Sequence, residues 1–376
     1  MRRLPARLAL FYAAFFAGTG VQLPFWPVWL AARGLSADQI ALLLTLGQWL
    51  KLATNPLIGI AADRDGARRV LVALGLGALA AYGLLAFVAG FPGILLLATA
   101  AGLCAAGQLP LGDSLALAAA YEGRLDYGRV RLWGSLGFIV AALIAGRMLD
   151  GFGAAIVLPL TLAAAALTLG SCLTLPERAA RPRPKAEPGR WRGYAHPRFI
   201  AFLGAASLIQ GSHSVYYGFG TLYWQSLGLA DATISLLWAE GVVAEVMLFY
   251  WGAPLLRRIG PLGLVALAGA AGVARWTAMT LLVTPAALAM LQLLHALTFA
   301  AAHLGAMHYL ARSVAAEQAA TAQSVYTAVV GGIGGGLLML VAGRLYGGIG
   351  GGAYLAMAAL AGIGAALAAL LAATKS

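Results

Sequence analysis

Charge is what this chain has least of. Only 10% of its 376 residues are Asp, Glu, Lys or Arg, against roughly 25% in an ordinary soluble domain. So few charges cannot cover a water-facing surface, and whole segments lack a polar face, so lipid is the solvent the composition implies. Cysteine is equally scarce. Cys104 and Cys172 both fall inside apolar runs, without the spacing of a metal site or a disulfide framework, and they read as small buried hydrophobes. No phosphate loop, H-E-x-x-H or G-x-S-x-G is present, so neither an enzyme nor a cofactor is expected.

What is present is a series of long apolar runs. A helix crossing the hydrocarbon needs about 20 apolar residues, and runs of that kind fall near 8–31, 36–61, 70–89, 92–118, 130–149, 153–175, 198–226, 232–254, 261–283, 285–310, 321–345 and 350–372. They do not alternate, which excludes a closed barrel, the other structure that satisfies every backbone group in lipid. The N-terminus begins like a signal peptide with Arg2, Arg3 and Arg7, yet its apolar stretch runs on to Leu30 and further spans follow. An uncleaved first helix fits better. The formal charge of +12 does not point to nucleic acid, because the basic residues fall in short clusters between apolar runs. Those clusters lie almost entirely in alternate connections, which puts both termini on the cytoplasmic side of the inner membrane.

One connection differs from the others. Residues 176–197 carry Pro182, Pro184 and Pro188 among basic residues, a composition that stays extended and solvated. It divides the chain into a bundle of six spans at 1–175 and another at 198–376. The halves also echo each other at one constant offset: Gly34-Leu35 recurs as Gly228-Leu229, Lys51 falls opposite Glu245, and Gly66 opposite Gly260.

The strongest local signal is Gly59-Ile60-Ala61-Ala62-Asp63-Arg64-Asp65-Gly66-Ala67-Arg68-Arg69 after the second run. It matches G-x-x-x-D-R-x-G-x-R-R at every fixed position, and the chain is identified by it as resembling the major facilitator transporters. Physically, Gly59 allows close helix approach, Gly66 permits a tight turn, and Asp63 can serve a neighbouring helix end or arginine. A narrower resemblance, to the 3-phenylpropionate permease group among relatives of lactose permease and the nucleoside-proton symporters, rests on Pro110-Leu111-Gly112-Asp113 and Asp126-Tyr127-Gly128-Arg129-Val130-Arg131. Gln210-Gly211, Tyr216-Tyr217-Gly218-Phe219, Gly241 to Val246 and Arg275-Trp276 extend it. The resemblance implies twelve transmembrane helices in two six-helix bundles, with a small-molecule substrate bound between them. It also implies a glutamate, an arginine and a histidine on the eighth, ninth and tenth spans, here Glu245, Arg275, and His295 or His303.

Independently of any family, ionisable residues inside spans are costly and therefore candidates for function. Arg275 can hold a carboxylate through two parallel hydrogen bonds, which suits an organic anion. Around it, His213, Tyr216, Tyr217, Trp276, His295, His303 and Lys51 complete a candidate substrate set. Glu245 lies mid-span, where desolvation disfavours the charged carboxylate and suits proton loading; its alternative is a permanent ion pair with Arg275. Asp113 has two readings, proton carriage or pairing with Lys51 or the arginines that open the fifth span. Glu240 is five residues from Glu245, about 140° round the helix, and is the peripheral member of the acidic set. Tyr223 and Trp224, near a span end, read as membrane-interface residues. The run Gly331–Gly336 reads as a flexible or tightly packed gating helix. The gating set is Gly59, Asp63, Arg64, Gly66, Arg68, Arg69, Arg129 and Arg131. Together these residues predict a monomeric, proton-coupled symporter of a small organic solute such as an aromatic monocarboxylate. A nucleoside or sugar symporter is the alternative, and a non-transporting membrane sensor the alternative of another class.

Overall fold

The computed structural model describes residues 3–177, 196–314 and 318–374. The expected linker, 176–197, therefore falls almost wholly outside the described residues. Among those described, the regular structure is helical throughout. Contacts divide the chain into two units, residues 1–184 with 230–239 and residues 185–229 with 240–376.

The first unit is built from α1 (Arg3–Ala32), α2 (Ala37–Asp65), α3 (Ala67–Leu84), α4 (Phe91–Tyr121), α5 (Tyr127–Phe152) and α6 (Val157–Thr174). Local chemistry sets several of their ends. Ser36 opens α2 with a capping box, its hydroxyl accepting from the Gln39 amide while the Gln39 side chain returns the bond. Gly66, at φ 92, closes α2 and starts α3, a backbone region costly for any residue with a Cβ. Asp126 caps α5 by accepting from the Arg129 amide.

Small residues let these helices touch backbone to backbone. A Cβ added at Gly20 of α1 would run into the Phe138 carbonyl of α5, and one added at Gly137 would run into the Ala13 carbonyl of α1. The two contacts are reciprocal, which is how helices approach closely where lipid supplies no hydrophobic drive. Gly20→Ala is accordingly expected to destabilise the protein by about 1–3 kcal/mol, read as a lowered melting temperature in detergent. Ala at Gly59, where a Cβ meets nothing within 4 Å, should leave it unchanged.

The second unit contains α7 (Pro197–Gly211), α8 (Ser214–Ser226), α10 (Ala253–Leu281), α11 (Pro285–Leu293), α12 (Ala302–Ser313), α13 (Ala319–Tyr326), α14 (Gly335–Ile349) and α15 (Ala353–Ala373), while α9 (Asp231–Trp251) runs from the first unit into the second. The expected seventh span, 198–226, is two helices with a break at Ser212 and His213. There the Ser212 hydroxyl donates to the Ile209 carbonyl at 2.7 Å, and His213 Nδ1 lies 3.2 Å from the carbonyls of Ile209 and Gln210. Side chains that capture backbone acceptors compete with the helical ladder. The tenth and eleventh spans each carry a wider π-helical segment, at Ala296–Ala301 and Thr327–Gly334. The second of these holds the start of the glycine run.

The repeat read from sequence has a conformational counterpart. Gly34 and Gly228 both take φ 83, and Gly66 and Gly260 take φ 92 and 73. The amides after the first pair repeat one pattern, Leu35 to Leu30 and Leu229 to Trp224.

Nine stretches of the described residues are long and apolar enough to cross a bilayer. The last of them, Thr321–Ala373, contains two crossings, and α2 with the broken α7–α8 pair complete the twelve. Large apolar side chains such as Leu57, Leu96 and Leu370 stand 63–70% exposed, in numbers that only a lipid exterior tolerates. The protein is an all-α, multi-pass membrane protein.

Candidate functional site

The second unit buries a cation. Arg275, on α10, has no exposed surface, and its guanidinium is held on several sides. One terminal nitrogen donates to His295 Nδ1 and to the Thr298 hydroxyl, each at 3.0 Å, and the other donates to Gln292 Oε1 at 2.7 Å. Its central carbon lies 4.7 Å from the ring centres of both Tyr216 and Trp276, within cation–π range. Gln292, His295 and Thr298 come from one span at steps of three, the last inside the π-helical segment.

These contacts fix proton positions, because an arginine can only donate. His295 Nδ1 must therefore be the acceptor, which leaves the ring proton on Nε2. That nitrogen stands 3.7 Å from Glu245 Oε2 on α9. The opposite tautomer follows for His213. Its Nδ1 faces two carbonyls and must carry the proton, so Nε2 accepts from the Thr298 hydroxyl at 3.2 Å. A directed chain thus runs from Arg275 through Thr298 to His213, and a second runs from Arg275 through His295 towards Glu245. Glu245 keeps 22% of its side chain exposed against 7% for His295, so it is the more open end of the second chain. Trp276 is fixed by its indole N–H, which donates to Ser212 at 3.0 Å.

Among the described residues, two buried donors of this cluster, Arg275 Nε and Gln292 Nε2, have no hydrogen-bond acceptor. An unmatched buried donor costs about 1–3 kcal/mol, so both call for an acceptor atom.

Of the residues read from sequence, the structure gathers Arg275, His213, Tyr216, Tyr217, Trp276, His295 and Glu245 here. Tyr217 stacks on His213 at 5.6 Å. His303 joins through rings alone: Phe299 lies nearly parallel to both His295 and His303, at 5.4 and 6.5 Å. Glu240 is half-buried. Tyr223 and Trp224 are 9% and 0% exposed, which corrects their reading as interface residues: both pack inward, where Trp224 meets Tyr216 at 6.0 Å and Tyr223 meets Tyr354 at 5.7 Å.

The first unit holds a different polar group. Asp113 Oδ1 accepts from the hydroxyls of Tyr12 at 2.7 Å and Tyr127 at 3.1 Å. Arg131 caps this group, its guanidinium carbon 4.1 Å from the Phe16 ring centre and 5.4 Å from that of Tyr12. Asp113 pairs neither with Lys51 nor with the arginines opening the fifth span; tyrosine hydroxyls serve it. Arg129 is exposed and 4.0 Å from Asp126. Lys51 faces a cavity of its own, bordered by α1, α2, α3, α4 and α6.

In the signature loop Gly66 makes the turn that sequence expects, but Gly59 faces open space, so it supports no close helix approach in this structure. Asp63 is exposed, and Arg64 lies 3.6 Å from Asp65 in solvent. Arg68 and Arg69 instead converge on Glu177, at 3.9 and 3.7 Å, and Arg68 also donates to the Leu173 carbonyl. Sequence reasoning passed over Glu177, although an acid at the very start of a basic connection was its signal. It also passed over Tyr12, Tyr127, Gln292 and Thr298, whose side chains are neutral.

Comparison with known proteins agrees with this architecture. The chain is 33% identical over 362 residues to a protein of Escherichia coli (strain K12) described as "Probable 3-phenylpropionic acid transporter", covering 94% of each. It is 31% identical over 353 residues to the maltose permease of Geobacillus stearothermophilus, covering 89% of this chain and 86% of that one. The crystal structure of a nucleoside transporter superposes with a TM-score of 0.88 at 16% identity, over 99% of this chain and 100% of that one. A model of the MFS_1 like family matches residues 6–356. This chain therefore belongs to the MFS_1-like family, and it is a major facilitator transporter rather than an enzyme.

Proposed function

We propose that the protein accumulates a small organic anion by proton-coupled symport, with an aromatic monocarboxylate of the 3-phenylpropionate type as substrate. The observation that carries this reading is the pair of buried donors without acceptors, Arg275 Nε and Gln292 Nε2. A carboxylate offers acceptors only and would answer both. Tyr216 and Trp276, which flank the guanidinium, supply flat apolar surface for a ring. The name of the E. coli relative points to the same class.

In this reading Glu245 loads the proton, and His295, its Nε2–H turned towards that carboxylate, couples the loading to Arg275. Protonating Glu245 changes the balance of charge around the arginine and shifts the populations of inward- and outward-open states. Because Arg275 has no exposed surface, substrate reaches it as the enclosing rings part during alternating access. One chain supplies the whole cluster, so a monomer suffices. In this reading both termini lie in the cytoplasm, which the positive-inside pattern supports, and the protein sits in the inner membrane.

A nucleoside symporter is the second reading, favoured by the fold match at a TM-score of 0.88. A neutral solute would bring no charge to the buried guanidinium, whereas a carboxylate would, which favours the acid. The test is uptake of labelled 3-phenylpropionate into proteoliposomes with an imposed inward proton gradient. Accumulation is expected to vanish with a protonophore and to be competed by benzoate-like acids rather than by uridine or maltose. Accumulation that survives collapse of the gradient would end the symport reading, and stronger competition by uridine would end the carboxylate reading.

A further inference from the structure

The first unit contains a half-open, mainly apolar cavity of about 290 Å³ whose lining includes the polar side chains of Lys51, Gln22, Tyr82, Gln108 and Thr161, together with Trp26. It takes residues from α3 and α6 as well as α1, α2 and α4, so that unit builds it. Four of its groups want a partner. Lys51 has no carboxylate or hydrogen-bond acceptor among the described residues, and an intramembrane ammonium without one is costly. Gln108 is 3% exposed and Thr161 1% exposed, yet Gln108 Oε1 and Thr161 Oγ1 have no hydrogen-bond partner. Gln22 donates to the Tyr82 hydroxyl at 2.8 Å, which leaves the Tyr82 proton free to be given away.

The chemistry of the four groups is mixed, and that narrows the ligand. Lys51 can only donate, and the Tyr82 and Thr161 hydroxyls each have a proton to give, so these three can serve an anionic or carbonyl oxygen. Gln108 is oriented by its own amide nitrogen, which donates to the Cys104 carbonyl at 3.4 Å, so the atom left over is an acceptor and asks for a hydroxyl or N–H. A halide or a simple fatty acid would meet the first demand and leave the second. Water takes about 30 Å³ per molecule in the liquid, so the cavity has the room of roughly ten waters, enough for a small organic solute.

We propose that this cavity is a further ligand site, built without any residue of the Arg275 cluster, which binds a small hydroxylated carboxylate with its anionic end on Lys51 and Thr161 and its hydroxyl on Gln108. The site is defined by residues of the first unit alone, so it stands or falls independently of the symport reading.

Equilibrium dialysis of labelled lactate against the purified full-length protein in detergent tests it, with propionate and chloride as probes lacking the hydroxyl or the carbon chain. Lactate is expected to bind saturably and at least ~10-fold more tightly than propionate or chloride. Lys51→Met should weaken lactate by roughly 30-fold or more and Lys51→Arg by far less, while Gln108→Leu should erase the preference for lactate over propionate. Arg275→Gln should leave lactate affinity within about 2-fold, even where it stops uptake. Size-exclusion profiles of Lys51→Arg and Gln108→Leu guard against misfolding of the methionine variant. The proposal is overturned by any of four results: no saturable lactate binding, in which case the cavity holds water; binding indifferent to Lys51→Met; binding lost in Arg275→Gln, which would move the ligand to the arginine; or equal affinity for lactate and propionate.

Discussion

Replacing Arg275 by glutamine is expected to lower the initial rate of 3-phenylpropionate uptake by about 100-fold or more, a loss of roughly 3 kcal/mol in transition-state terms. The wild-type guanidinium serves Gln292, His295 and Thr298 at 2.7–3.0 Å while two rings cover it. Glutamine removes the charge and most of these bonds together. Lysine is expected to fail almost as badly, because a point charge on a flexible stem cannot reach three acceptors spread around a planar fork. The melting temperature separates this from mere damage. Removing one member of a buried polar network commonly costs about 3–5 kcal/mol of stability, so each rate is normalised to folded protein. A lysine variant transporting at a third of the wild-type rate would show that the fork geometry is not required.

Glu245→Gln should divide transport into its two parts. Glutamine keeps the volume and a hydrogen-bonding end beside His295 but cannot take up or release a proton. Accumulation driven by a proton gradient is therefore expected to fall by about 30-fold or more, while exchange of internal for external solute, which needs no net proton movement, stays within about 3-fold of wild type. The geometry behind this is the 3.7 Å approach of Glu245 Oε2 to the protonated nitrogen of His295. If Glu245→Gln still concentrates substrate under the gradient, the proton is carried elsewhere, and Asp113 with its two tyrosine hydroxyls is the next group to test.

Much of the architecture was legible because lipid imposes a coarse rule: a crossing is a long run without charge, and its ends are marked by glycine, proline and arginine. Gly66 announced a turn and takes positive φ, and its repeat partner Gly260 and the repeated pair Gly34 and Gly228 do the same. Arg275, His295 and Glu245 stood out because a charge inside a span is rare. What escaped notice is directional. Hydropathy treats Gln292, Thr298, Tyr12 and Tyr127 as filler, although they make the hydrogen bonds that hold Arg275 and Asp113. Steps of three from Gln292 to His295 to Thr298 were on the page, but they identify one helical face only once His295 is known to point inward. Nothing in local composition distinguishes the break at Ser212 and His213 from continuous helix, since it arises from side chains taking carbonyls that the ladder would have used. Tyr223 and Trp224 were misread because nearness to a span end says nothing of which way a ring points.

The two π-helical segments, at Ala296–Ala301 and Thr327–Gly334, have a mechanical meaning. An α-helix needs 3.6 residues to complete a turn, and a π turn stores about one residue more. That spare residue is slack held inside the rod. Were it to travel along the chain, every group beyond it would swivel by about 100° while the main-chain bonds re-formed behind it, letting the crossing show another stripe of itself to its surroundings without ever melting in oil.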